Sequence, residues 1–193
     1  NKKKTLAVRF PSHQMTRSLL KKLNYPLAAP SANISTKISP VSKKDVKDEF
    51  GKKVSIILDG GRSKIGVEST IINLVNKPQV LRLGGIPRAE IKKYLKLNLI
   101  FNKKSKLKTP GQEKTHYSPY IKLRLNIKNP KRDEAFILIK KRNQEKTNFF
   151  YLKKNNNLKE AAKNLYKTLR LIQKKKFKSI AVEKIPNKGF GEV

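Results

Sequence analysis

Two short stretches constrain this chain more than anything else in it. One is Pro26-Leu-Ala-Ala-Pro-Ser-Ala-Asn33; the other is Leu58-Asp-Gly-Gly61 followed by Gly66-Val-Glu-Ser-Thr-Ile71. Each has the shape of an apolar strand that stops abruptly in small polar residues. Ser31 and Asn33 are one residue apart after Pro30, so an extended backbone points both side chains the same way. Ser69 and Thr70 open a new β-branched run over residues 70–75. Small hydroxyls and an amide at strand ends, with glycines that let a ligand approach the backbone, suit a polar small molecule or a phosphate. For either stretch alone, ordinary turn chemistry is the alternative, with Ser31 and Asn33 capping their own backbone.

The 193 residues can hold one medium domain or two small ones, with a real core. Cysteine is absent, which rules out a disulfide framework, a thiolate metal site or a thiol nucleophile and fits a reducing, cytoplasmic setting. No apolar run approaches the roughly 18 residues that span a bilayer, so no membrane partner is expected. The formal charge of +34 would attract RNA, DNA or acidic surfaces. Yet lysine outnumbers arginine 38 to 9 and is scattered over nearly every element. Arginine is the better residue for bidentate phosphate and base recognition, so compositional drift outweighs a dedicated nucleic-acid surface.

Residues 5–10 read as a strand, and Pro11 and Ser12 start a helix with Met15, Leu19, Leu20 and Leu23 on its apolar face. A strand follows over 27–30. Ser39 and Pro40 form a helix start, a cap and a first-turn proline, with the helix running to about Phe50 and stopping at Gly51. A buried strand over 54–58 ends in the turn at Asp59 to Gly61; strands over 69–75 and 79–83 come next, then a short helix after Pro87. Residues 96–119 fade into lysine, Thr, Pro and Gly and read as a linker. Beyond it come strands at 135–139 and 148–152 and a helix capped by Asn157, with Glu160 at the capping-box position. Leu158, Ala161, Ala162, Leu165, Leu169 and Ile172 form that helix's apolar stripe, and a strand over 178–182 closes a Rossmann-like α/β layering. No G-x-G-x-x-G occurs, so the layering carries no dinucleotide claim.

Taken together, the two stretches, with Leu81-Arg-Leu-Gly84, resemble the YrdC-domain family of L-threonylcarbamoyl-AMP synthases. That family reads approximately P-L-A-A-P-S-A-N-x-S-G-x-x-S-P-T, then L-D-G-G-x-x-x-x-G-V-E-S-T-I, then L-R-P-G. Thr109-Pro-Gly-Gln-Glu-Lys-Thr-His-Tyr-Ser-Pro119 is similar to the S-P-G-M-x-x-x-H-Y-x-P linker of its two-domain members. The resemblance implies an α/β protein in which residues 1–95 are the later half of a YrdC-like twisted-sheet domain. Residues 96–119 would be the linker and 120–193 a small, incomplete Rossmann-like C-terminal domain. The chain reads as clipped at both ends, and by itself would be inactive.

The activity implied is that of an L-threonylcarbamoyladenylate synthase, a nucleotidyltransferase. It joins L-threonine, bicarbonate and ATP, with Mg2+ accompanying the nucleotide, for threonylcarbamoyl-adenosine modification of tRNA next to the anticodon. Double-stranded RNA binding, and tRNA or the tRNA threonylcarbamoyl-transfer complex as partners, come with it. The resemblance assigns Arg9, Ser31 and Ser69 to L-threonine, and Thr5, Asn33, Val41, Arg82 and Tyr117 to ATP. No residue is assigned as acid, base, nucleophile or metal ligand; His13 and His116 fall to helix-start and linker packing, and Glu68 alone is weak support for a metal. Arg9 and Arg82 as plain strand-end cations, and Tyr117 as a linker anchor, are the competing readings. Three positions depart from the pattern. Thr36 stands where glycine is usual, Val41 where threonine is usual and Leu83 where proline is usual, and the family's K-x-R string has no match. The alternatives in function are a YrdC-like RNA- or nucleotide-binding module and a non-catalytic fragment.

Overall fold

The computed structural model describes residues 5–75, 78–95, 100–101, 117–143, 146–153 and 157–193. Its better-formed half is a four-stranded sheet, β4 (Lys122–Arg124), β5 (Glu134–Lys140), β6 (Phe149–Lys153) and β7 (Ser179–Val182), with helix α4 (Leu158–Lys174) on one face. Every pairing in it is parallel, in the order β4-β7-β5-β6. A central parallel strand is covered on both faces, which is why β5 reads as an unbroken apolar run. Its side chains divide by the period of two. Ala135 and Ile137 meet Phe150, Leu152, Ile180 and the α4 stripe, while Phe136 and Leu138 meet Ala181 and Phe149 behind the sheet.

Asn157 caps α4 as expected, its side chain accepting from the Lys159 N–H at 2.9 Å. The helix buries Ala161, Ala162, Tyr166, Thr168, Leu169 and Ile172. Ile172 is fully enclosed, so truncating it to alanine costs about 2–5 kcal/mol.

The other half holds α1 (Gln14–Lys21), α2 (Lys43–Phe50), α3 (Arg88–Leu95) and a sheet of β1 (Ile71–Asn73), β2 (Gln79–Arg82) and β3 (Ile100–Phe101). β1 and β2 are antiparallel; β3 runs parallel to β2. Several sequence expectations are corrected here. The stretches 5–10, 27–30 and 54–58 form no strand, and Leu6, Val8, Phe10 and Ile56 are between 76% and 87% exposed. Apolar alternation supplies strand propensity, but a strand exists only where a neighbour takes its N–H and C=O groups, and among the described residues these stretches have none. α1 begins after His13 instead of Ser12. α2 begins after Ser42 instead of Ser39. The Ser39 hydroxyl is committed to Glu68 at 2.6 Å, whereas Ser42 accepts from the Asp45 N–H and Asp45 Oδ2 accepts from the Val41 N–H and the Ser42 hydroxyl. β3 lies within the stretch read as linker, and β4 lies in one for which no element was expected.

The two halves share one core. Ile38 and Val41 are buried among Ile137, Phe150, Tyr166 and Leu169. Gly66, at φ +79°, lets its loop pass against the α4 backbone at Lys163. No helix among the described residues is long and apolar enough to cross a membrane.

Candidate functional site

The site is built where the end of β2 meets the residues entering β1. Gly84 is buried, and a Cβ placed there would stand 2.5 Å from Thr70 N and closer still to Glu68 O and Ser69 C. Only glycine lets the two segments touch. They are then zipped together: the Gly85 N–H donates to Glu68 O at 2.8 Å, and Thr70 Oγ1 donates to Ile86 O at 2.9 Å and accepts from its N–H at 3.1 Å.

Arg82 leans over this seam. Its Nε donates to Ser69 O at 3.0 Å, Nη2 to Ser69 Oγ at 3.2 Å and Nη1 to the Tyr117 phenol oxygen at 3.1 Å. A rigid guanidinium fork can hold three acceptors in fixed directions, which a lysine ammonium on a flexible stem cannot. Three motifs far apart in sequence therefore converge on one cation. Tyr117 in turn packs on Tyr166 of α4, ring centroids 5.7 Å apart. Burial pushes the Tyr117 phenol up, Glu68 adds to the shift, and Arg82 opposes it. Tyr166 is pushed up further by burial and by the same Glu68 charge. Both phenols are thus neutral hydrogen-bonding groups at physiological pH, with Glu68 and Arg82 as the charges beside them.

Asn33 closes the second part. Its Nδ2 donates to Ile34 O at 2.9 Å and Lys37 O at 3.1 Å, while its buried Oδ1 accepts from nothing among the described residues. Lys37 pairs with Ser118, the Ser118 N–H donates to Thr36 O at 2.8 Å, and the Thr36 and Tyr120 hydroxyls are hydrogen-bonded. The Asn33 turn therefore sits against residues 118–120, one residue from Tyr117. Thr36 has φ +70°, a left-handed conformation in which glycine carries no steric cost and a β-branched residue does. That accounts for glycine at this place in the resembled pattern.

The remaining candidates are placed less centrally. Thr5, Arg9 and Ser31 are exposed and stand outside this hydrogen-bonded set. Val41 turns its side chain into the core. Its N–H donates to Asp45 and its C=O accepts from the Ser63 N–H at 2.8 Å, so both backbone groups are already engaged. His13 holds the start of α1 against Gly60 O at 3.1 Å; His116 lies outside the described residues. Sequence reading did not single out Tyr166 or the Ser39–Glu68 bond. A phenol set beside the apolar stripe of α4 was the available signal for the first, because a buried tyrosine hydroxyl needs a polar neighbour. Among the described residues no three carboxylate or imidazole side chains converge on a metal position. The arrangement offers one cation, one carboxylate and neutral hydroxyls around a seam, which suits holding a zwitterion or phosphate in place more than attacking it.

Residues 1–84 match the family described as telomere recombination, and residues 86–193 match the threonylcarbamoyl-AMP synthase C-terminal domain. A threonylcarbamoyl-AMP synthase of Pyrococcus abyssi is 35% identical over 97% of this chain and 61% of its own length. One from Bacillus subtilis is 30% identical over 97% of this chain and 60% of its own. The crystal structure of P. abyssi Sua5 complexed with L-threonine superposes with a TM-score of 0.79 at 32% identity, over 95% of this chain and 59% of that one. The chain thus spans about three fifths of the length of these relatives. With both halves matched in order and the seam of Ser69, Arg82 and Gly84 formed where the motifs put it, the chain belongs to the threonylcarbamoyl-AMP synthase family of the Sua5/YrdC type.

Proposed function

We propose that this chain is the threonine- and nucleotide-holding part of a synthase that makes threonylcarbamoyl-AMP from L-threonine, bicarbonate and ATP. The carbamate formed on the threonine amine attacks the α-phosphate of ATP, and pyrophosphate leaves. Such a step needs alignment and charge neutralisation, not a side-chain nucleophile. Ser69 and Ser31 hold threonine, with Arg9 toward its carboxylate. Arg82 faces the nucleotide phosphates, with Asn33, Thr5 and Tyr117 around the rest of it. Magnesium would come with the nucleotide as MgATP, held chiefly by the phosphates and water. The product serves tRNA threonylcarbamoylation in the cytoplasm.

The observation that supports this most is the convergence of Ser69, Arg82 and Tyr117 through direct hydrogen bonds. The P. abyssi relative bound to L-threonine supports the substrate. The test is threonine-dependent pyrophosphate release by the full-length synthase that carries these residues. Replacing Ser69 or Asn33 by alanine removes a hydrogen bond to a charged ligand, worth about 1.5–3 kcal/mol, and lowers the rate roughly 10- to 150-fold. Release that ignores threonine, or that stays within twofold in both variants, would refute the assignment. RNA binding without any pyrophosphate release would favour a nucleic-acid module instead.

A further inference from the structure

We propose that Arg170 is a positioning residue for the turn carrying Ser31 and Asn33, acting from helix α4 through the Glu49 carboxylate. The proposal rests on the synthase reading for those two side chains. Arg170 is largely enclosed, its side chain 13% exposed. Its Nη1 donates to Ile38 O at 2.8 Å, and its Nη2 donates to Glu49 Oε2 at 2.9 Å and to Asp45 O at 3.3 Å, with Nε 3.4 Å from Asp45 Oδ1. The other oxygen of Glu49, Oε1, accepts the Ile34 N–H at 2.9 Å. One carboxylate, 5% exposed, therefore joins a helix of the C-terminal half to the residue that follows Asn33.

Two features separate this link from a surface ion pair. Glu49 is the second-last residue of α2, where the helix dipole disfavours a negative charge, so its place there depends on the partners it finds. The neighbouring pair between Lys174 and Asp48 is 58% and 39% exposed and belongs to the weak surface class. The peptides on both sides of Ile34 are also fixed, the following one through its C=O by the Asn33 side chain and the preceding one through its N–H by Glu49. Releasing Glu49 frees the preceding peptide, and the turn that places Asn33 loses its reference point. A misplacement of about 1 Å at a positioning group can cost on the order of a hundredfold in rate.

The experiment reads backbone amide exchange by NMR in the ligand-free full-length protein, with threonine and ATP kinetics measured beside it. Arg170→Met should speed exchange at Ile34 about tenfold or more, while amides of β5, β6 and β7 stay within about twofold. Arg170→Lys, which keeps charge but not the fork, should fall between. Glu49→Gln, which keeps an oxygen for the Ile34 N–H, should protect that amide better than Glu49→Ala. In kinetics, KM for threonine and ATP should rise with Arg170→Met and recover in part with Arg170→Lys. Unchanged exchange at Ile34 in a folded Arg170→Met protein overturns the proposal. So does acceleration spread equally over β5 to β7, which would make Arg170 a general stabiliser. If Arg170→Met fails to fold, the two Glu49 variants decide: equal exchange at Ile34 in both overturns it. Selective exchange in a full-length protein that releases no pyrophosphate would keep the link and remove the synthase reading.

Discussion

Replacing Gly66 by alanine should be among the most damaging single-methyl changes available in this chain. The backbone there has φ +79°, and a Cβ would lie 2.6 Å from the carbonyl carbon of Lys163 and nearer still to its Cα and O. Carbon atoms pack at about 3.5–4.0 Å, so α4 would have to retreat by roughly 1 Å. The left-handed backbone costs about 1–2 kcal/mol for a non-glycine residue, and overpacking adds about 1–3 kcal/mol. The sum of about 2–5 kcal/mol is a large share of the 5–15 kcal/mol that holds a typical domain folded. Gly61 provides the control, since it has φ +76° with nothing within 4 Å of a Cβ, so Gly61→Ala carries the backbone cost alone. The assay is urea unfolding followed by far-ultraviolet circular dichroism, comparing midpoints at constant m. Gly66→Ala should lose about 1–3 kcal/mol more than Gly61→Ala. Equal losses, within about 0.5 kcal/mol, would show that the loop does not bear on α4 and would refute the packing argument. Lys163 lies three residues before Tyr166 on the same helix, about 4.5 Å along its axis, so a retreat of α4 should also loosen Tyr166 from Tyr117.

Two further outcomes follow from single residues. Thr36→Gly removes the left-handed strain at φ +70° but also the hydroxyl bonded to Tyr120, so the midpoint should rise by an amount worth up to about 1 kcal/mol or stay level; a loss beyond that would place the hydroxyl above the strain. Burial alone would raise the Glu134 pKa, but bonds from the Lys131 N–H and the Ser179 hydroxyl and the nearby Arg124 hold it below the usual carboxylate range. A depressed folded pKa contributes stability that is present above the unfolded value and is lost as pH falls through the folded one. Wild type should therefore lose stability more steeply than Glu134→Gln below about pH 4, and parallel acid profiles would count against that role.

How much of this was legible in the sequence depends on what each element needs from the rest of the chain. The C-terminal sheet and α4 were readable because β5, β6, β7 and the helix stripe each bury a long apolar pattern, and Asn157 caps from within its own turn. β4 was not, because a three-residue Lys-Leu-Arg strand takes its identity from pairing with β7. The stretches at 5–10 and 54–58 carried the apolar signal of strands, but pairing is a property of two segments, and no described neighbour supplies the second. The start of α2 shows the same competition on a smaller scale. Ser39 with Pro40 and Ser42 with Asp45 are both respectable helix starts, the latter as a Ser-x-x-Asp box. The choice is settled by Glu68, which lies 29 residues away from Ser39 and takes its hydroxyl.

The candidate site repeats that lesson with more at stake. Ser69, Arg82 and Asn33 stood out as small polar residues and a cation at the ends of apolar runs, and the first two are joined directly. What no local pattern could show is that the site leans on α4 twice, through Tyr166 beneath Tyr117 and through Arg170 behind Glu49. These two residues lie four apart on one helix, so a single rigid element backs both the aromatic side and the turn side of the site. A helix lodged in the same core as Ile38 and Val41 cannot shift without moving both supports together. The C-terminal half is therefore part of what gives the seam its shape, and its separation from the other half should disorder the Asn33 turn before it unfolds either sheet.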